Sequence, residues 1–113
     1  MHEVGLMQNA LDLALRHAAE QGAKRIDSLH LRVGAFSGVV PEALRFAFEA
    51  LRQSTIAEGA RLDIEQVPLR CVCKSCKAAF QPDTYDLICP GCGSSDLEFR
   101  SGWEMNLVSI EVT

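Results

Sequence analysis

The chain opens on a helical stripe: Val4, Met7, Leu11, Ala14 and Ala18 recur at three- and four-residue spacing, with Glu3, Asp12, Arg16 and Glu20 around the rest of the cylinder. This pattern predicts an amphipathic helix over residues 3–21 that begins almost at the first residue. Gly22 suits its end, because glycine tolerates the left-handed conformation that follows many helices. From Arg25 to Gly34 the period changes to two, with Leu29, Leu31 and Val33 on one face and Ser28, His30 and Arg32 on the other, which predicts a half-buried strand. The stretch 34–38 (Gly-Ala-Phe-Ser-Gly) breaks the pattern. Pro41 then sits where a second helix can start, since the N–H it lacks would be unpaired in a first turn anyway. That helix is expected to run to about Gln53 with the apolar stripe Leu44, Ala47, Phe48 and Leu51, and both Phe46 and Phe48 read as plain core.

Leu62, Ile64 and the residues up to Val67 predict a second strand, and Pro68 stops the donation of ladder hydrogen bonds. From Arg70 to about Phe99 the chain turns Cys-rich and turn-rich, too short to hold a core without a metal. The last segment alternates again, with Val108, Ile110 and Val112 expected on one face, so it should rejoin the first sheet. The expected fold is α+β: two helices packed on a small mixed β-sheet, built from residues 1–69 and 100–113, with a four-cysteine zinc-ribbon module inserted at 70–99.

Composition narrows the possibilities. At 113 residues and 48% hydrophobic, the chain has room for one compact domain, or a small domain plus a metal-stapled module. The formal net charge is −4 and no Lys/Arg run exists, which argues against nucleic acid or an anionic membrane as partner. No apolar stretch approaches the roughly 20 residues of a membrane helix, and no basic segment followed by an apolar one opens the chain, so a cytoplasmic protein is expected. In a reducing compartment the 5 cysteines point to metal ligation before disulfides.

Four of them fall in two pairs, Cys73–Cys76 and Cys89–Cys92, each of the form Cys-x-x-Cys. That spacing fits a structural zinc: each pair supplies two thiolates to a tetrahedron, Gly91 and Gly93 permit turns at positive φ, and Phe80 and Tyr85 are expected to close the hairpin between the pairs. Four thiolates leave no open position for water, which argues against catalytic zinc. A redox dithiol would need one exposed pair at a helix N-terminus. Cys71 lies on the same strand face as Cys73 and reads either as a bystander or as a substitute ligand.

The opening Met1-His2-Glu3 is a second candidate site. The α-amine of Met1, the amide and imidazole nitrogens of His2, and either the amide or the carboxylate of Glu3 could chelate one ion in the nitrogen-rich planar geometry that Ni(II) and Cu(II) favour. A solvated terminus explains the same three residues. His17 and His30 read as ordinary surface residues.

Taken in order, Met1-His2-Glu3, a helix, the strand ending Arg32-Val-Gly34, a helix after Pro41-Glu42, the Ala57-Glu58-Gly59-Ala60 turn and the Cys73/Cys76/Cys89/Cys92 quartet resemble, end to end, the HypA/HybF hydrogenase nickel-incorporation family. The resemblance implies a non-enzymatic nickel metallochaperone. It would bind Ni(II) through His2 and nearby N-terminal nitrogens, keep a structural Zn(II) in the ribbon, and work with a GTPase partner to load the large subunit of [NiFe]-hydrogenase; some family members also serve urease. The sequence leaves a homodimer open. The competing reading is a zinc-ribbon adaptor for nucleic acid or transcription. Charge opposes it, since Arg70, Lys74 and Lys77 stand against Asp83, Asp86, Asp96 and Glu98 in the ribbon.

Overall fold

The computed structural model describes residues 2–82 and 86–113; Met1, Asp83 and Tyr85 lie outside these, and with them the expected closing role of Tyr85. In chain order the elements are α1 (His2–Glu20), β1 (Ile26–Gly34), α2 (Pro41–Leu51), β2 (Arg61–Val67), β3 (Arg70–Cys73), β4 (Ala79–Phe80), β5 (Leu97–Ser101) and β6 (Met105–Val112). They build two three-stranded sheets, ordered β2-β1-β6 and β4-β3-β5. The first is mixed as expected. β1 runs parallel to β2, a pairing that needs a crossover and finds it in α2, and antiparallel to β6. No helix among the described residues is long and apolar enough to cross a membrane.

The first core follows the helical stripe with one exchange. Met7, Leu11, Ala14 and Ala18 are buried, joined by Ala10, but Val4 is exposed and Glu3 is buried beside it. Leu29, Leu31 and Val33 of β1 lie beneath, and Leu44, Ala47 and Phe48 complete the cluster from α2. That helix stops at Leu51, two residues short of the expected end. The expectation that Phe46 and Phe48 both enter the core fails for Phe46, which is 82% exposed against 2% for Phe48. Two residues along a helix turn the side chain through about 200°, so one of the pair must face water.

A second correction concerns β6. Leu29 pairs with Ile110 and His30 with Ser109, but Leu31 pairs with Leu107, so Val108 is an extra residue. Such a bulge reverses the inward parity. Met105, Leu107 and Ile110 therefore pack on the core, while Val108 is turned outward and is 45% exposed.

The second core is small and largely cysteine: Leu69, Cys71, Cys73, Cys89 and Leu97, flanked by Phe36, Phe80 and Leu87. Backbone joins it to the first sheet. Gly34 N–H donates to the Glu104 carbonyl and Phe36 N–H to the Gly102 carbonyl, each at 2.7 Å. A Cβ on Gly34 would lie 2.1 Å from the Gly102 oxygen, so no other residue fits there, and Gly102 itself has φ +121. Trp103 packs roughly perpendicular to Phe36 and to Phe99, at ring separations of 6.4 and 4.9 Å.

Candidate metal centre

Two turns of the same construction carry the four cysteines. In the first, Lys77 N–H donates to the Cys73 carbonyl and Cys73 N–H to the Ala78 carbonyl; in the second, Gly93 N–H donates to the Cys89 carbonyl and Cys89 N–H to the Ser94 carbonyl. The bonded partners fall at the same offsets from the first cysteine of each pair. Each turn needs positive φ at its fifth residue, and there the two sequences differ: Gly93 (φ +75) adopts it freely, whereas Lys77 (φ 69) adopts it against its own Cβ. Positive φ was expected at Gly91 as well as Gly93; it occurs at Gly93 and Lys77 instead.

The turns face each other. Cys73 Sγ lies 3.6 Å from Cys92 Sγ, and Cys76 Sγ lies 3.6 Å from Cys89 Sγ, so the close pairs cross between turns. All four sulfurs fall within 4.8 Å of one another. A tetrahedral ion with metal–sulfur bonds of ~2.3 Å requires sulfurs ~3.8 Å apart, which this arrangement matches. Cys73 and Cys89 are buried and Cys76 and Cys92 lie at the surface, so the cluster is enclosed on one side.

Electrostatics separates the four thiols in the same way. The Cys76 backbone N–H, donating to Cys73 Sγ at 3.4 Å, leads the effects that lower the Cys73 thiol to about 6, and backbone hydrogen bonds at Cys92 and Gly91 lower that of Cys89. At Cys92 a backbone hydrogen bond at Ser94 favours the thiolate, but the Cys73 sulfur, burial and the other two sulfurs outweigh it and push the thiol up to about 12. Four thiols this close cannot all ionise without a cation among them. Cys71 is not in the cluster. It is buried on β3, opposite Phe80 on one side and Phe99 on the other, and burial raises its thiol.

The N-terminal residues are arranged differently. Met1 lies outside the described residues. The His2 side chain is 59% exposed in the first turn of α1, with Nδ1 3.6 Å from Glu3 Oε1. Glu3, placed by the helical pattern on the polar side, is instead engaged: its Oε2 accepts the Val40 N–H at 3.2 Å. Val40 is the N-cap residue of α2 and offers no side-chain cap of its own. The Val40 N–H is the foremost cause that holds the Glu3 carboxyl below its ordinary value. Local pattern could not show this partner, which lies 37 residues away. His17, near Glu20, and His30, near Glu65 on the open sheet face, are surface residues far in sequence from both sites.

Comparison with known proteins identifies the family. The family model described as hydrogenase/urease nickel incorporation metallochaperone, HypA, matches residues 1–112. The hydrogenase maturation factor HypA of Picosynechococcus sp. is 46% identical over 112 residues, covering 99% of both chains; that of Geobacter sulfurreducens is 40% identical over 112 residues, again covering 99% of both. The solution structure of the Ni metallochaperone HypA from Helicobacter pylori superposes with a TM-score of 0.67 at 28% identity, over 97% of this chain and 96% of that one. A second HypA solution structure gives 0.74 at 29% identity, over 100% and 97%. The chain belongs to the HypA family of nickel-incorporation metallochaperones that act in hydrogenase maturation.

Proposed function

We propose that this chain binds Ni(II) at its N-terminus and, with a GTPase partner, passes it to the large subunit of [NiFe]-hydrogenase in the cytoplasm. The observation that carries the reading is the placement of His2: a solvent-facing imidazole on the first turn of a helix. The first amides of an α-helix have no intrahelical acceptor, so the nitrogens of His2 and Glu3 are available without unwinding the rest of α1. Together with the α-amine of Met1, where that amine is free, and the His2 imidazole, they supply the planar nitrogen set that Ni(II) prefers. Glu3 contributes as ligand through its amide, while its carboxylate, tied to Val40, steadies the turn from which His2 projects.

The four cysteines hold Zn(II) in this reading, and the ion's part is to neutralise the thiolates and lock the two turns. A closed thiolate cage is unsuited to release, whereas an exposed terminus can change ligands as a partner approaches. Residues 1–69 and 100–113 then form the delivery domain and 70–99 the ribbon. No enzymatic step and no nucleic-acid contact is required.

The test is nickel titration of untagged protein beginning at Met1. His2→Ala, and separately a short extension before Met1, should each weaken nickel binding by orders of magnitude while zinc content and thermal stability stay unchanged. Unaltered nickel affinity in both would move the site elsewhere.

A further inference from the structure

The second sheet has two outer strands of unequal length: β4 has two residues, whereas β5 runs for five, from Leu97 to Ser101. On β5 the successive residues Glu98, Phe99 and Arg100 are all exposed. Strand side chains alternate between faces, so both faces of β5 are open to solvent at this edge. Among the described residues, 98–100 make no backbone hydrogen bond beyond those of the sheet.

The two sides of this edge differ in chemistry. On the face turned away from the second core, Arg70 and Arg100 bound a hollow of about 310 Å³ that Val72 and Ala79 also line. A bulge brings Arg100 there: Arg70 pairs with Ser101 and Cys71 with Phe99, which leaves Arg100 as the extra residue. Arg100 lies 3.1 Å from Glu98, while Arg70 has no ion-pair partner among the described residues, so the hollow carries a net positive charge. On the other side Phe99 and Trp103, both exposed, line a second hollow of about 370 Å³. Its one acid, Glu104, is taken up by the Gly102 N–H at 2.7 Å. Arg100 borders both hollows.

We propose that β5 is a strand-addition site: an extended segment of a partner protein pairs along its free edge, seating an apolar side chain on Phe99 and Trp103 and an adjacent acidic one on Arg70 and Arg100. Consecutive residues of an added strand point to opposite faces, and the two hollows lie on opposite sides of the edge, one apolar and one basic. Aromatic and arginine side chains left exposed together are also the residue types that interfaces favour. Charge selects an acidic segment. The chain as a whole is at −4 and repels acids, so the arginine pair is a local exception to its own field. Charges on an outer strand deter chance pairing, and a segment that brings an acid to the arginines removes that deterrent.

The experiment titrates the full chain, as purified, with short capped peptides long enough to span β5. Calorimetry measures affinity, and the fluorescence of Trp103, the only tryptophan of the chain, reports the place. In the first peptide valine alternates with threonine and one central threonine is replaced by glutamate; the second carries lysine at that position; the third keeps the glutamate and has proline for the neighbouring valine. The glutamate peptide should bind and shift Trp103 emission, the lysine peptide should bind about tenfold more weakly, and the proline peptide, which lacks a ladder N–H, should not bind measurably. Net charge alone predicts the opposite order for the first two, because a chain at −4 attracts lysine. Arg70→Glu/Arg100→Glu should invert the preference with circular dichroism unchanged. No binding of the glutamate peptide up to millimolar concentration overturns the proposal, and so does binding that leaves Trp103 unaffected. Equal affinity for the glutamate and lysine peptides, undiminished affinity for the proline peptide, or an unchanged preference in the double variant overturns it as well. Nickel takes no part in these measurements, so their outcome is independent of the reading given to His2.

Discussion

The Glu3 carboxylate accepts the backbone N–H of Val40 at 3.2 Å, so a side chain in the first turn of α1 caps the first turn of α2. Helix N-termini present unpaired N–H groups and a positive dipole end, and an anion there satisfies both. Glu3→Gln should therefore lower the melting temperature. Because the folded carboxyl sits below its ordinary value of 4.5, its contribution is fully present above that pH and is lost as pH falls toward the lower folded value. The difference in melting temperature between wild type and Glu3→Gln should shrink on acidification below about pH 4.5. A constant difference down to pH 3 would mean that charge is not what Glu3 contributes.

Phe46 and Phe48 provide a paired test of helix α2. Phe48→Ala empties a buried site and should cost about 3–5 kcal/mol. The same change at Phe46 removes a side chain that is 82% in water and should stay within about 0.5 kcal/mol. Urea denaturation at neutral pH measures both.

How much of this was legible in the sequence depended on the range of the cause. Spacing alone placed α1, β1 and the cysteine quartet, because each rests on residues near one another in the chain. Phe46 was misplaced by composition: an apolar helix suggests two buried rings, and only the 200° between them says that one must be outside. The parity of β6 was lost to one extra residue at Val108, which no alternation pattern announces. The Glu3–Val40 and Gly34–Gly102 contacts join segments far apart in sequence and follow from packing.

Gly34 is a sharp test of the junction between the two sheets. Alanine there would push its Cβ into the Gly102 carbonyl, 2.1 Å away and itself backbone, so neither side can yield without breaking the 2.7 Å bonds to Glu104 and Gly102. Gly34→Ala should destabilise the protein by about 3 kcal/mol or more, in the range of buried steric clashes. Trp103 packs on Phe36 beside this contact, so its fluorescence should change in the folded variant. Wild-type stability together with an unchanged Trp103 spectrum would contradict the close contact.

If the quartet holds zinc as proposed, removal of the ion should affect the two cores differently. Among the described residues, the first core contains none between Arg70 and Phe99, while three of the five buried members of the second are cysteines, two of them in the quartet. The purified chain should hold one zinc. Cys73→Ala/Cys92→Ala breaks one of the two 3.6 Å sulfur pairs that cross between turns, and it should release the zinc and disorder the ribbon. The helical circular dichroism of α1 and α2 should survive, because Met7, Leu11, Leu44 and Phe48 share one buried cluster with β1 residues, to which no described ribbon residue contributes. Cys71→Ala is the control. It removes a buried thiol that lies outside the cluster, so zinc should be retained at a cost of about 1–2 kcal/mol from the cavity. Acidification should mimic the double variant, since protons compete with the metal for the thiolates. Zinc retained by the double variant would show that the quartet is not the zinc site, and loss of the α1 and α2 helical signal on chelation would show that the two cores are not independent in the way their packing indicates.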